Sequence, residues 1–419
     1  MPVELLTETE KITRATITNE TSCCVVGCGP AGAMLALLLA RRGVSVTLLE
    51  MHKDFDREFR GDTVHPSTLE ILDQLGLADR LHQLRHSKVF GPTLLTATGP
   101  FTPIDFRQLK TKYPYILMVP QKYLLDLLTQ EAAKYPNFRI LMGANATELI
   151  EQRGTVRGVR YMVEGATHDL RALLVVGADG RFSHLRQLAG IKPIGISPPM
   201  DVLWFRLPHL PSDPEAPGGA FGNIGKGHLI IGLDRADYWQ AGYVILKGTY
   251  QEIRAEGIEG FRRRIVGIDP RLTKHVESLT DWHQIAVLSV ESSRCPIWYK
   301  PGLLLIGDAA HVMSPVGGVG INYAIQDAVV AANVLTKPLL SGRVTLGDLK
   351  TVQRKRVWPV RLIQVVQTQI QKTIIAGALR SQQRMQIPWI VRLFFSIPYL
   401  RNIPARIMAY GLVRVHVEN

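Results

Sequence analysis

The stretch Gly27-Cys28-Gly29-Pro30-Ala31-Gly32 restricts the fold of this chain more than any other. It leaves a short β-prone run, SCCVVG, and opens an apolar helix, AGAMLALLLARRG, that ends at Gly43; VSVTLLE then reads as a second strand closing on Glu50. Gly27 permits the tight turn, Gly29 lets backbone approach a pyrophosphate, and Gly32 lets the helix pack on the strand. The helix start offers unpaired N–H groups and a partial positive charge to phosphates. Glu50 falls about 20 residues further on, where an acidic side chain bonds ribose hydroxyls. Strand, helix and Glu50 in register predict a dinucleotide site.

Periodicity organises the remainder. Helices are predicted over 65–84, with Ser67 or Thr68 as N-cap, and over 121–135, and a buried strand over 170–180. Residues 200–250 change character: DVLWFRLP, GHLIIGLD and YWQAGYVILKG are β-rich runs broken by Pro and Gly, which predicts a mixed or antiparallel sheet. Residues 251–277 read as helix, 303–307 as strand and 318–336 as helix. The rest is mostly helical, interrupted at Pro359, Pro388, Pro398 and Pro404. The expected fold is α/β. A Rossmann-like domain (21–95 with 115–195 and 295–345) encloses a β-sheet domain (96–114 with 196–294). An N-terminal extension (1–20) precedes them, and a helical, basic region (346–419) follows.

Composition excludes several classes. With 46% hydrophobic and 20% charged residues among 419, the chain has ordinary globular usage. The apolar run Ala31–Ala40 is about half a membrane span, and residues 1–20 contain no secretory h-region. Cys23, Cys24, Cys28 and Cys295 read as small buried hydrophobes in a reduced, cytoplasmic protein. The histidines are scattered and no C-x-x-C occurs, so no metal site is expected; no G-x-S-x-G elbow points to acyl transfer. The net charge is +13, and from Lys350 onward twelve Lys or Arg face the single acid Glu418. IPWIVRLFFSIPYL (387–400) sets a single arginine, Arg392, among aromatic and aliphatic residues. That mixture suits packing or peripheral contact with a membrane surface better than nucleic acid.

Three further segments, FRGDTVHPSTLEIL (59–72), VVGADGRFSHLR (175–186) and LLLIGDAAHVMSPVGGVGINYAIQDAVVAANVL (303–335), follow the first motif in order. Together the four resemble the successive motifs of the group A, p-hydroxybenzoate hydroxylase-like flavoprotein monooxygenases, through about residues 22–340. The resemblance implies FAD as cofactor and NAD(P)H as a transient co-substrate. O2 then gives a C4a-hydroperoxyflavin that hydroxylates an aromatic or apolar polycyclic small molecule. It implies that Asp308 bonds the ribityl hydroxyls and that the loop at Pro315 lies beside the flavin. The backbone amides of Gly320, Ile321 and Asn322 meet the isoalloxazine O2 edge, where a helix start stabilises the anionic reduced ring. Arg60 and Gln121 match positions that contact the cofactor. Asp179 matches the family's DG motif, with a structural turn as the alternative. Arg181 and Arg186 stand nearby as candidates for NADPH phosphates or as surface charges, and His65 and His311 read as capping or packed residues.

The sheet at 200–245 covers the flavin ring in that family, so Trp204, Phe205, Phe221, Tyr238, Trp239 and Tyr243 are candidates for an aromatic substrate wall. Alternation along the strands does not tell which half faces the pocket, and no catalytic base is assigned. Two other readings stay open at this level: an FAD-dependent reductase or oxidase of a lipid-like or prenyl substrate, and a non-catalytic protein similar to GDP-dissociation inhibitors.

Overall fold

The computed structural model describes residues 19–56, 62–96, 99–211, 213, 219–225, 227–375, 377, 379, 393 and 397–418. Residues 1–18 of the expected extension lie outside that set. In chain order, β1 (Glu20–Val26) feeds α1 (Pro30–Arg41) and β2 (Val46–Glu50). Helices α2 (Pro66–Gln74) and α3 (Gln121–Ala132) lead to β3 (Phe138–Met142), β4 (Asn145–Gln152), β5 (Thr155–Val163) and β6 (Ala166–Gly177). Next come β7 (Met200–Pro208), β8 (Ala220–Gly225), β9 (His228–Asp234), β10 (Tyr238–Leu246), α4 (Gly257–Ile268), β11 (Ala286–Ser289) and β12 (Leu303–Leu305). Helices α5 (Gly320–Leu340), α6 (Leu346–Gln369) and α7 (Pro398–Tyr410) complete the order.

The first sheet is built on five parallel strands in the order β12–β6–β1–β2–β3, with β5 added antiparallel on β6 and β4 antiparallel on β5. Cys24 and Val25 of β1 pair with Thr47 and Leu48 of β2 on one side and Val175 and Val176 of β6 on the other. Every residue of α1 from Ala31 to Ala40 is buried, in one cluster with Ala328, Ala331 and Ala332 of α5. A helix apolar all round needs neighbours on all sides, and α5 supplies the layer that the sheet does not. Each fully buried leucine of α1 contributes about 1.5–3 kcal/mol.

The second sheet runs β11–β7–β10–β9–β8 and continues through strands at Thr93–Thr96 and Gly99–Phe101. Its pairings are antiparallel except that β8 lies parallel to Thr93–Thr96. Both faces are covered. Leu203, Phe205, Leu207 and Tyr243 pack on Phe261 and Ile265 of α4, while Val202, Ile231 and Val244 pack towards Val316 and Ile370.

Three local expectations change. Helix α2 begins at Pro66 with His65 before it and no side-chain cap, because the hydroxyls of Ser67 and Thr68 are taken by a distant partner described below. Helix α6 runs through buried Pro359 and α7 through Pro404, so tertiary packing outweighs the lost backbone bond there, whereas Pro398 stands at a helix start as expected. The helical stretch expected to 277 ends at Ile268, where Asp269 and Pro270 begin short 3-10 turns. Pro388 lies outside the described residues.

The segment 397–418 folds back onto the first domain. Ala405 and Ala409 are buried against Val89, Phe106 and Met118. Further along, Arg414 pairs with Glu70 at 2.9 Å, Val417 N–H donates to Gln74 Oε1 at 3.0 Å, and Glu418 N–H to Asn333 Oδ1 at 3.2 Å.

Candidate active site

The glycine turn has the shape a pyrophosphate requires. Gly27 adopts φ +98°, and a Cβ there would stand 2.6 Å from the Ala178 carbonyl oxygen. At Gly32 a Cβ would stand 1.9 Å from the Gly27 carbonyl oxygen, which fixes the helix against the turn. At Gly29 the nearest neighbour would be 4.0 Å away, so that backbone borders open space. Pro30 occupies the first turn, no side chain caps this helix end, and Ala31 follows buried. Glu50, 3% exposed, accepts the Cys28 N–H at 2.8 Å through Oε2 and the His52 N–H at 3.0 Å through Oε1. Carboxylate oxygens accept more than one bond, so hydroxyls of a ribose fit the same group. A tight turn, an open glycine, an uncapped helix start and a buried carboxylate together fit a dinucleotide cofactor.

The turn Gly307–Ala309 meets this cradle. Gly307 adopts φ +59°, and a Cβ there would lie 3.1 Å from Ala31 Cβ and 3.5 Å from Ala324 Cβ. Asp308 is thereby held where the starts of α1 and α5 converge. Beneath it, Gly307 N–H donates to Asp327 Oδ2 at 3.0 Å; His311 Nε2 reaches the same oxygen at 2.6 Å, and Arg356 Nε donates to Oδ1 at 2.7 Å. Burial pushes the Asp327 carboxyl up, but His311 and Arg356 prevail and hold it below the usual range. His311 is thus a packed residue of this network, its ring 5.0 Å from that of Trp298.

Pro315 opens the loop before α5, where Gly317 (φ +82°) and Gly318 (φ +62°) turn the chain. No side chain caps the α5 start at Gly320 and Ile321. Asn322 is fully buried: its Oδ1 accepts from the Ser67 hydroxyl and from the Thr68 hydroxyl at 2.9 Å, which is where the two expected helix caps go. Thr63 donates to the Gly318 carbonyl at 2.7 Å. His65 lies between that carbonyl (3.0 Å from Nε2) and the Met408 carbonyl (2.9 Å from Nδ1), and burial brings its pKa down to about 4.

Arg60 lies outside the described residues, but its neighbour Asp62 is informative. Asp62 Oδ1 accepts the Gln121 N–H at 3.1 Å at the start of α3, and Oδ2 is held by Arg235, whose Nε donates to Gln240 Oε1 at 2.7 Å. Burial pushes the Asp62 carboxyl up against the opposing pull of Arg235. The pair joins the two domains at the β9–β10 turn, where Ala236 takes φ +66°. Asp179 spends its oxygens locally, on the Ser183 hydroxyl at 2.5 Å and the Leu185 N–H at 2.9 Å. Arg186 is buried and donates to the carbonyls of Ala309 at 3.0 Å and Arg181 at 2.8 Å, tying the DG turn to the GD turn. Arg181 lies over the Phe182 ring at 4.8 Å.

Strand register divides the six aromatic candidates. Trp204 pairs with Gly242 and Tyr238 with Pro208, so both lie on the face that carries Val202 and Val244 towards the Pro315 loop. A Cβ at Gly242 would stand 2.9 Å from the Trp204 ring, so the indole lies over that glycine. Phe205, Phe221, Trp239 and Tyr243 belong to the opposite, α4-covered face; Tyr243 and Phe261 meet at 5.2 Å between ring centres, as do Phe221 and Trp239. Among the described residues no group of three or more His, Cys, Asp or Glu is arranged for a metal ion.

Comparison with known proteins places the chain among named relatives. The family described as FAD binding domain matches residues 20–358. The chain is 34% identical over 397 residues to 6-methylpretetramide 4-monooxygenase of Streptomyces rimosus, covering 93% of this chain and 92% of that one. It is 26% identical over 348 residues to para-nitrophenol 4-monooxygenase of a Pseudomonas strain, covering 80% and 82%. Among solved structures, an anhydrotetracycline hydroxylase of Streptomyces rimosus superposes with a TM-score of 0.73 at 22% identity, over 93% of this chain and 76% of that one.

Proposed function

The chain belongs to the FAD-binding-domain family of flavoprotein monooxygenases, and from that membership we propose that it hydroxylates a fused polycyclic aromatic compound. The enzyme is an FAD-dependent monooxygenase that uses NAD(P)H and O2 on a small aromatic or polycyclic molecule. The finer choice of a fused polycycle rests on one observation above all, the near-complete alignment with a monooxygenase named for 6-methylpretetramide. It is supported by the apolar sheet face of Trp204, Ile231 and Val244, which suits a flat hydrocarbon framework.

FAD bound there would supply the redox chemistry that links NAD(P)H, O2 and the substrate. The residues of the chain bind and orient. Gly27, Gly29, Pro30, Ala31 and Gly32 would hold the pyrophosphate against the start of α1, Glu50 would take ribose hydroxyls, and Asp308 would take ribityl hydroxyls. The amides of Gly320, Ile321 and Asn322 at the positive end of α5 would hold the flavin ring, and Pro315 would border it. Gln121 and Asp62 support the phosphate side together with Arg60. Asp179 acts through its turn and through Arg186 rather than on a ligand. Trp204 and Tyr238 line the substrate side, and Phe221, Trp239 and Tyr243 stiffen the sheet behind them.

A reductase or oxidase of prenyl substrates and a non-catalytic escort are not favoured by this set of relatives. Among the described residues no helix is long and apolar enough to cross a membrane. For 387–419, the return of 397–418 onto the first domain supports a role beside the site rather than on a membrane surface.

The test is a visible spectrum of the purified protein with FAD, then anaerobic NADPH titration against phenols, naphthols and tetracyclic polyketides. Flavin bands that bleach much faster with a tetracyclic compound, which then gains one oxygen in air, are the expected result. Acceleration by monocyclic phenols alone would remove the polycyclic assignment, and protein that never takes up FAD would remove the reading entirely.

A further inference from the structure

Helix α6 and the π-helical turn that follows it (Ile370–Ile375) carry a row of glutamines whose amides end on one stretch of backbone. Gln364 Nε2 donates to the carbonyls of Ser293 at 2.9 Å and Val312 at 3.1 Å. One turn on, Gln367 Nε2 donates to Ser314 at 2.9 Å and Val316 at 2.8 Å, and Gln371 Nε2 donates to the Ser314 hydroxyl. Positions 364, 367 and 371 share a helix face, and the helix widens to its π form where Gln371 reaches the loop. Such widenings recur at functional sites.

The loop they hold has little of its own to fix it. Within Ser314–Gly318 the chain bonds itself through Gly318 N–H to the Pro315 carbonyl at 3.0 Å and Val316 N–H to the Ser314 hydroxyl at 3.3 Å. Gly317 and Gly318, both left-handed, leave it other conformations. Two of its carbonyls share a single side-chain nitrogen, and a buried carbonyl left without a donor costs about 1–3 kcal/mol. Gln367 is 2% exposed and its Oε1 has no partner among the described residues. Turning the amide over would set that oxygen against both carbonyls, so its orientation is fixed. From the far side Thr63 holds the Gly318 carbonyl. The loop is clamped between Gln367 and Gln371 on one side and Thr63 and His65 on the other, with Val316 packed in the cluster that contains Trp204.

We propose that Gln367 is a positioning residue for the oxygenation. By holding the carbonyls of Ser314 and Val316 it keeps Pro315 and Val316 as a closed wall at the side of the space that flavin and substrate would share, which excludes water while oxygen is transferred. This rests on the monooxygenase reading above. Without the clamp the wall opens and the two electrons of NAD(P)H end on oxygen alone: NAD(P)H, H+ and O2 give NAD(P)+ and H2O2, with the substrate unchanged.

The full chain is compared as wild type, Gln367→Met, Gln371→Met and Gln353→Met. Methionine keeps the length without a donor. Gln353 bonds Pro296 and Trp298 from the same helix, away from the loop, and serves as the control. In FAD-free protein, amide exchange across 314–322 is expected to rise about tenfold in Gln367→Met, less in Gln371→Met, and not at all in Gln353→Met. With FAD and a hydroxylated substrate, product per NAD(P)H is expected to fall severalfold in Gln367→Met, with the deficit recovered as H2O2 and KM for NAD(P)H unchanged. Should Gln367→Met fail to fold, Gln371→Met carries both measurements. Exchange equal to wild type, or coupling lost equally in Gln353→Met, overturns the proposal. A wild type that hydroxylates no compound overturns the monooxygenase reading instead, and the exchange comparison still decides whether Gln367 holds the loop.

Discussion

Arg356 Nε and Asp327 Oδ1 meet at 2.7 Å with neither side chain exposed to solvent, and the other Asp327 oxygen holds both His311 and the Gly307 N–H. A buried pair of this kind is weak evidence for added stability as a whole, yet breaking it leaves an uncompensated charge. Its position directly beneath the GD turn makes it the support on which Asp308 stands.

Arg356→Met is therefore expected to destabilise the protein by about 3–5 kcal/mol, and the double variant Asp327→Leu with Arg356→Met by clearly less. Urea unfolding of the single and double variants measures this; equal losses would show that packing, not charge, dominates the site. The wild-type contribution has a defined pH sense. Asp327 titrates below its unfolded value, so its stabilisation is complete above about pH 4 and disappears as pH falls through the folded value.

His65 has the same sense at higher pH. Its pKa falls from 6.5 to about 4 through burial, so the folded state holds it neutral. Its contribution is complete above the unfolded value and is lost progressively as pH drops from about 6.5 towards 4, with an upper bound of about 3 kcal/mol. Denaturation midpoints between pH 7.5 and 4.5 are expected to fall more steeply for wild type than for His65→Gln. Parallel profiles would assign the acid sensitivity elsewhere.

Two glycines of the glycine turn, Gly29 and Gly32, are predicted to differ. Gly29→Ala borders open space, so the fold is expected to survive while FAD affinity drops about tenfold or more, a cost near 1.4 kcal/mol. Gly32→Ala sets a methyl 1.9 Å from a backbone oxygen and is expected to destabilise the apoprotein itself, by about 1–3 kcal/mol. Flavin fluorescence titration beside thermal unfolding separates the two. A Gly29→Ala variant that binds FAD normally would place the phosphates elsewhere.

On the sheet, Trp204→Ala is expected to raise KM for a polycyclic substrate about tenfold, since an apolar contact of a few methylenes is worth about 1–3 kcal/mol. Tyr243→Phe, on the other face, is expected to leave KM alone and to change stability through its lost bond to His228 at 2.7 Å. Steady-state kinetics of both variants tests the register; a KM effect confined to Tyr243→Phe would reverse the assignment of faces.

The glycine turn and the placement of Glu50 beside it were legible in the sequence because strand, turn, helix and strand are neighbours in the chain, and each glycine answers to a contact within that unit or just beside it. The six aromatic candidates of the second sheet were legible only as a set. Period-two alternation separates Trp204 from Phe205, but both faces of this sheet are covered by apolar neighbours, so hydrophobicity alone does not say which face meets the cofactor domain. Ser67 and Thr68 carry a capping signal that holds until Asn322 competes for their hydroxyls. Asp62 with Arg235, and Gln367 with Ser314, escaped detection because a polar residue's meaning lies in a partner far along the chain. The spacing of Gln364, Gln367 and Gln371 on one helix face was the available hint.

The parallel sheet also orders events during synthesis. Helix α1 is apolar on all sides, and its second covering layer, α5, lies about 290 residues downstream, as does the GD turn that completes the cradle. At 5–20 residues per second, the ribosome needs roughly 15–60 s to deliver them. Through that interval the emerging βαβ unit exposes a greasy helix to chaperones and to other nascent chains, and FAD capture has to wait until nearly the whole family-matched region has left the exit tunnel.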